Sequence, residues 1–178
     1  MAGNTLQYQV LKDTTEHAMI KLTGYFDGTG GQENDHFRIK ANSLYGALAT
    51  NGFPVANVYG GAANTPLSYY NLQVNRIWYD CSSTGEVSLF WDADTVRYIA
   101  HLDGSGEYDG MGNWVTIPND ARGTANCFGD IGLVTRGMVA NSVYTIILEV
   151  RKDNAFYQRG QFNDPAAFNF GPQYNLKP

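Results

Sequence analysis

Leu6, Tyr8 and Val10 alternate with Gln7 and Gln9, and after Asp13-Thr14-Thr15-Glu16 the alternation resumes at Ala18, Ile20, Leu22 and Phe26. A period of two marks a half-buried strand, and two such runs around a polar break predict a hairpin. The polar stretch 27–35 predicts a loop, followed by a short strand at Phe37-Arg38-Ile39. The signal is strongest from Tyr69 to Asp92. There Leu72, Val74 and Trp78 alternate with Gln73, Asn75 and Tyr79, then Cys81-Ser82-Ser83-Thr84-Gly85 turns the chain. Val87, Leu89 and Trp91 return on one face. Further strands are predicted at Val96–Leu102, at Trp114–Ile117 where Pro118 stops the run, at Ile131–Thr135 and at Ser142–Arg151. One helix is predicted at 42–52: Asn42 caps it, Leu44, Ala47 and Leu48 share a face, and Gly52 follows its end.

Nine or ten short strands between turn clusters, with one short helix, predict an all-β fold. Its form is an antiparallel two-layer sandwich or jelly roll spanning residues 1–151. Residues 152–178 break the pattern. Phe156, Tyr157, Phe162, Phe168, Phe170 and Tyr174 fall at irregular spacing among Gly160, Pro165, Gly171, Pro172 and Pro178. No helical or strand period fits them. An extended C-terminal arm is predicted, whose six aromatics serve as assembly contacts with a neighbouring chain.

Composition sharpens this picture. Gly (20), Asn (16) and Asp (12) are plentiful while Lys (5) and Glu (5) are scarce, so turn formers abound and exposed helix formers are few. The net charge of −5 argues against a nucleic-acid partner, which rewards clustered Lys and Arg. Residues 1–150 carry 8 basic and 15 acidic side chains, and 151–178 carry 4 and 2, a net of +2 that suits docking on an acidic body. The first ten residues have neither the basic start nor the apolar run of a signal peptide. No stretch has the length of a membrane span, so no membrane partner is expected. Cys81 and Cys127 make no disulfide framework and read as two thiols.

Candidate chemistry is sparse. Asp103-Gly104-Ser105-Gly106-Glu107-Tyr108-Asp109-Gly110 places oxygen ligands at alternate positions, as a calcium loop does. Tyr108 and Trp114 stand where such a loop needs Gly and Glu, so a solvated hairpin turn is expected. The carboxylates Glu86, Asp92, Asp94, Glu107 and Asp109 offer pairs of the glycosidase type, as any acidic β domain does. His17, His36 and His101 are isolated, and no nucleophile elbow, phosphate loop or dinucleotide fingerprint occurs. No catalytic residue, cofactor or metal is predicted. Tyr69, Tyr70, Trp78, Tyr79, Trp91 and Trp114 are the aromatics of a possible sugar-stacking platform. Alternation instead assigns Trp78 and Trp91 to the core face with Leu72, Val74, Val87 and Leu89.

The stretches from Leu6 to Asp13, from Ala41 to Leu48 and from Arg159 to Phe168 resemble small virion structural proteins of tailed marine bacteriophages, most closely capsid decoration (cement) proteins. The resemblance implies a non-enzymatic protein on the capsid surface of a virion. Its partners would be other copies of itself and the major capsid protein. Tail-tube subunits are similar in size and β content, and a carbohydrate- or receptor-binding β module would share the acidic, aromatic character.

Overall fold

The computed structural model describes residues 5–28, 34–47, 70, 72–82, 84–110, 115–121, 124, 127 and 129–152. Among these residues ten strands build two antiparallel sheets. The larger contains β1 (Thr5–Asp13), β2 (His17–Phe26), β10 (Ser142–Lys152), β4 (Leu72–Cys81) and β7 (Ser105–Asp109) in that order, with β8 (Ile117–Pro118) also pairing β4. The smaller runs β3 (Asn34–Ile39), β9 (Ile131–Arg136), β5 (Glu86–Trp91), β6 (Arg97–Leu102). The two-layer all-β architecture predicted from the alternation is the one observed.

Setting β1 and β8 aside, the other eight strands pair from the outside of the chain inward. β2 pairs with β10, β3 with β9, β4 with β7 and β5 with β6, all antiparallel. This is one long hairpin folded over on itself, and the pairings of β10 with β4 and of β9 with β5 complete the two sheets. That connectivity is a jelly roll. Only β1–β2 and β5–β6 are pairs of sequence neighbours; every other connection between successive jelly-roll strands crosses from one sheet to the other. The Cys81–Gly85 turn therefore leads to the opposite sheet rather than back along β4. The Asp103–Gly110 segment is likewise not a plain hairpin turn: Asp103 and Gly104, at φ +63°, carry the chain between sheets, and Ser105–Asp109 is itself strand β7.

The core lies between the layers, as the alternation requires. Ile20 and Leu22 of β2, Leu72 and Ile77 of β4 and Ile146 and Leu148 of β10 face Leu89 and Trp91 of β5 and Ile131 and Leu133 of β9. One break of period corrects the sequence reading. Glu149 pairs with Arg76 but Val150 pairs with Val74, so Asn75 is an extra residue in β4. A bulge of one residue exchanges the two faces of a strand beyond it. Leu72 and Val74 point inward before it and Ile77 and Cys81 after it. Trp78, predicted to be core, instead lies half-buried on the outer face, where the Arg76 guanidinium sits 5.8 Å from its ring centroid.

The predicted helix is also corrected. A single 3-10 turn, Ala41–Ser43, is the only helical element among the described residues. Leu44 is already extended and buried, and Gly46 has φ +76°. The Asp130 carboxylate holds the turn from outside, accepting from the Ala41 N–H and from Lys40 Nζ at 2.8 Å each. Burying Leu44 ends the helical path after three residues. Residues 48–52 lie outside the described part.

At the far end of β10, Lys152 is fully buried. Its ammonium donates to the Asp13 carboxylate, to the Thr14 carbonyl at 2.7 Å and to the Tyr45 carbonyl at 2.8 Å, while its backbone N–H donates to Glu16. A buried ammonium is tolerable only with such a full set of acceptors. Lys152 thereby belongs to the sandwich, tying the β1–β2 turn to the strand end, rather than opening the arm. With Arg151 and Lys152 both in β10, residues 153–178 carry two basic and two acidic side chains, a net of zero.

Candidate interaction surface

Titratable side chains gather on the two outer faces. On the larger sheet a row crosses four strands. His17 Nδ1 lies 3.6 Å from Glu149, Glu149 lies 4.0 Å from Arg76 Nε, and Arg76 Nε donates to Asp109 at 2.8 Å. Asp109, a candidate calcium ligand by sequence, thus serves an arginine. No group of three or more potential metal-ligating side chains occurs among the described residues.

On the smaller sheet, Ser88 Oγ donates to Glu86 Oε1 at 2.5 Å and lies 2.8 Å from His101 Nδ1, which is 2.9 Å from the same Glu86 oxygen. The residue types are those of a hydrolytic triad but the geometry is not. A triad uses one imidazole nitrogen for the serine and the other for the carboxylate, with the hydroxyl open to substrate. Here both partners share Nδ1 and Ser88 is fully buried. The network instead holds the Glu86 carboxyl below the usual carboxylate range, first through the Ser88 hydroxyl and then through His101. Tyr98 lies against His101 with centroids 4.7 Å apart, and its hydroxyl oxygen accepts from Arg136.

The remaining sequence candidates do not converge. Glu107 and Asp109 are on β7, Glu86 is on the opposite sheet, and Asp92 and Asp94 follow the end of β5. Trp91 and Tyr70 are buried and Trp78 is on the larger sheet, so these described aromatics do not share one exposed face; Tyr69 and Trp114 lie outside the described residues. Cys81 and Cys127 are free, buried thiols; burial first, then the charges of Asp80 and Asp103, push Cys81 up to about 11. Neither is a nucleophile near neutrality. Phe156, Tyr157, Phe162, Phe168, Phe170 and Tyr174 all lie outside the described residues.

What the alternation did not reveal is the state of β1. It adds a strand to the jelly roll at the rim of the larger sheet, where Leu6 packs partly against the core. Val10 pairs with Ile20 and Tyr8 with Leu22, both partners fully buried. Yet Tyr8, Val10 and Leu11 are 40%, 41% and 43% exposed. Nearly all of β1 is exposed, on both faces. A long, apolar, outermost strand is the surface on which another strand can pair, and natural proteins usually blunt it. Here one end is blunted by a bulge at Leu11 and the charges of Lys12 and Asp13.

No helix among the described residues is long and apolar enough to cross a membrane. Compared with known proteins, the chain matches no family model, no curated protein and no solved structure.

Proposed function

We propose that this chain is a non-enzymatic structural protein of a virion, a decoration (cement) subunit that stabilises a capsid through contacts with its own copies and with the major capsid protein. The observation that carries the reading is β1, an extra strand at the rim of the larger sheet on which Val10 and Leu11 are exposed. A monomer gains little from such a strand, whereas a subunit uses it to engage a neighbour. The jelly roll is shared by viral capsid and lectin domains, so it supports this reading without selecting it. The sequence resemblance to phage virion proteins points the same way.

One observation favours a second reading, a carbohydrate- or receptor-binding module. Tyr98 is 45% exposed on the outer face of the smaller sheet, with His101, Glu86 and Arg136 around it. An aromatic ring beside hydrogen-bonding side chains is a means of holding a sugar.

Particles from the source virus decide between them. Antibodies against the purified chain should label the heads of intact particles in electron micrographs, and mass spectrometry should find the chain in stoichiometric amount. Absence from purified particles overturns the virion reading, and label confined to tails moves the protein from capsid to tail. Glycan binding that is lost in Tyr98→Ala, with no particle label, selects the second reading.

A further inference from the structure

On the outer face of the smaller sheet, side chains from three strands form one connected group. Glu86 of β5 stands opposite Arg136 of β9 in the register, and Ser88 of β5 stands opposite His101 of β6. Tyr98 of β6 rests on the His101 ring at a tilt of 36°, meets Phe90 edge to face, and accepts at its hydroxyl from Arg136. The ring is thereby fixed by three neighbours while Tyr98 stays 45% exposed.

Each polar member keeps a hydrogen-bonding atom unspent. Glu86 Oε1 accepts from both Ser88 and His101, and Oε2 makes no hydrogen bond among the described residues. A carboxylate can only accept, so His101 Nδ1 carries the proton of that bond and Nε2 of the neutral ring is an open acceptor. Arg136 gives one Nη2 hydrogen to Tyr98 and makes no salt bridge among the described residues. Glu86, held below the usual carboxylate range, is ionised near neutrality. The group therefore presents one negative charge, one positive charge and an exposed aromatic ring beside them.

We propose that this face binds a neutral pyranose, whose C–H face stacks on the exposed ring of Tyr98 while neighbouring hydroxyls bond to Glu86 and Arg136. The proposal deepens the carbohydrate-binding reading and rests on it. A hydroxyl both donates and accepts, so two adjacent ones satisfy an acceptor and a donor fixed side by side. The carboxylate takes the hydrogen of one, and the guanidinium gives a hydrogen to the oxygen of the other. An anionic ligand would suit the Arg136 fork, but its charge would face ionised Glu86. A cation would suit Glu86 and face Arg136. Only a neutral polar ligand escapes both penalties, which is how paired opposite charges select. An apolar partner side chain could cover the ring, yet it would leave both charged groups without bonds. Because Phe90, His101 and Arg136 already hold Tyr98, binding orders little that is not ordered beforehand.

The test is an NMR titration of the full chain with methyl β-galactopyranoside and methyl β-glucopyranoside, each compared with its uronide, in which a carboxylate replaces the terminal CH2OH. At least one neutral glycoside should shift the Tyr98 ring signals and the amides of β5, β6 and β9, and its uronide should bind more weakly. Tyr98→Ala should abolish the shifts. Arg136→Gln, at an exposed position that leaves Tyr98 and Phe90 in place, should weaken binding about tenfold. Glu86→Gln should weaken the neutral glycoside and remove the penalty against the uronide. The proposal is overturned if neither neutral glycoside binds, if the uronides bind more tightly to the native chain, or if binding survives both Tyr98→Ala and Arg136→Gln. A glycan bound elsewhere, unaffected by these variants, sinks this site and leaves the carbohydrate-binding reading standing. A chain that retains nothing from a glycan array sinks both. Loss of particle attachment in Arg136→Gln, with no sugar bound, assigns the face to a protein partner and also overturns the proposal.

Discussion

β1 and β5 carry the same kind of sequence and meet opposite fates. In β1, Leu6, Tyr8 and Val10 alternate with glutamines; in β5, Val87, Leu89 and Trp91 alternate with Glu86, Ser88 and Phe90. Yet β1 is exposed along nearly its whole length, whereas β5 is buried on both faces from Val87 to Trp91. The difference is position. β5 lies between β9 and β6 and faces the larger sheet across the core; β1 pairs with β2 alone among the described strands. Even the outward residues of β5 are covered by their neighbours. The Phe90 ring lies across Gly132 of β9 and meets Tyr98 of β6 edge to face, with centroids 6.4 Å apart. Alternation thus specifies which face of a strand is apolar, while the sheet order decides whether that face is ever buried.

Removing an apolar side chain from each strand tests this directly, and here the largest effect is expected. Leu89→Ala should cost about 2–5 kcal/mol of unfolding free energy, the range for truncating a buried leucine. Val10→Ala, from a side chain 41% exposed, should cost under about 1 kcal/mol when measured by denaturant titration. Equal losses would mean that β1 is covered in solution.

If core burial does not hold β1, Lys152 does. It grips Asp13 at the end of β1 and the Thr14 carbonyl in the turn. Lys152→Met keeps the apolar stem but leaves a largely buried carboxylate without its cation, a change expected to cost about 3 kcal/mol. Hydrogen exchange should show the loss first in β1, with β5 amides still exchanging only through global unfolding. Uniform loss of protection across both strands would show that Lys152 supports the sandwich as a whole.

Gly132→Ala acts on β5 alone. A Cβ there would stand 2.2 Å from the Phe90 ring, so the ring must move. Overpacking of this kind costs about 1–3 kcal/mol, and Phe90→Leu in the same chain should recover part of it. Additive losses in the double variant would mean that the ring does not lie over Gly132.

These contrasts also show what the sequence made legible. The alternation in Leu6–Val10, Ala18–Phe26 and Tyr144–Val150 places β1, β2 and β10 correctly, because a period of two is a local property. Sheet membership is not local. Cys81–Gly85 reads as a hairpin turn because turn residues report a change of direction but not which layer receives the next strand. Asn75 reverses the parity of β4, and nothing in its neighbours marks it as a bulge, so Trp78 was assigned to the wrong face. The polar cluster of Glu86, Ser88 and His101 is invisible in sequence for the same reason: Ser88 and His101 meet only because β5 and β6 pair in that register. The exposure of Val10 and Leu11 on β1 is equally hidden, because alternation does not say that the strand lies at the rim of its sheet.

The smallest expected effect concerns pH, and it separates the two strands by chemistry rather than burial. Glu86 is held below the usual carboxylate range chiefly by the Ser88 hydroxyl and secondly by His101. Between its depressed folded pKa and the unfolded value near about 4.3, the unfolded chain binds more protons than the folded one. Its contribution is therefore fully present above that unfolded value and is lost as pH falls through the folded one. The side chain is 37% exposed, so solvent screening keeps the effect modest. Unfolding midpoints measured down the acid range should fall less steeply for Glu86→Gln than for the native chain, with the two curves running parallel near neutrality. Carbon NMR of the Glu86 carboxyl should find it below the usual glutamate range in the native chain, and Ser88→Ala should raise it more than His101→Gln does. In β1, by contrast, residues 5–11 hold one titratable side chain, Tyr8, which burial and then Asp13 push above the usual tyrosine range. The cost of Val10→Ala should accordingly stay the same from about pH 5 to about pH 9, measured by denaturant titration.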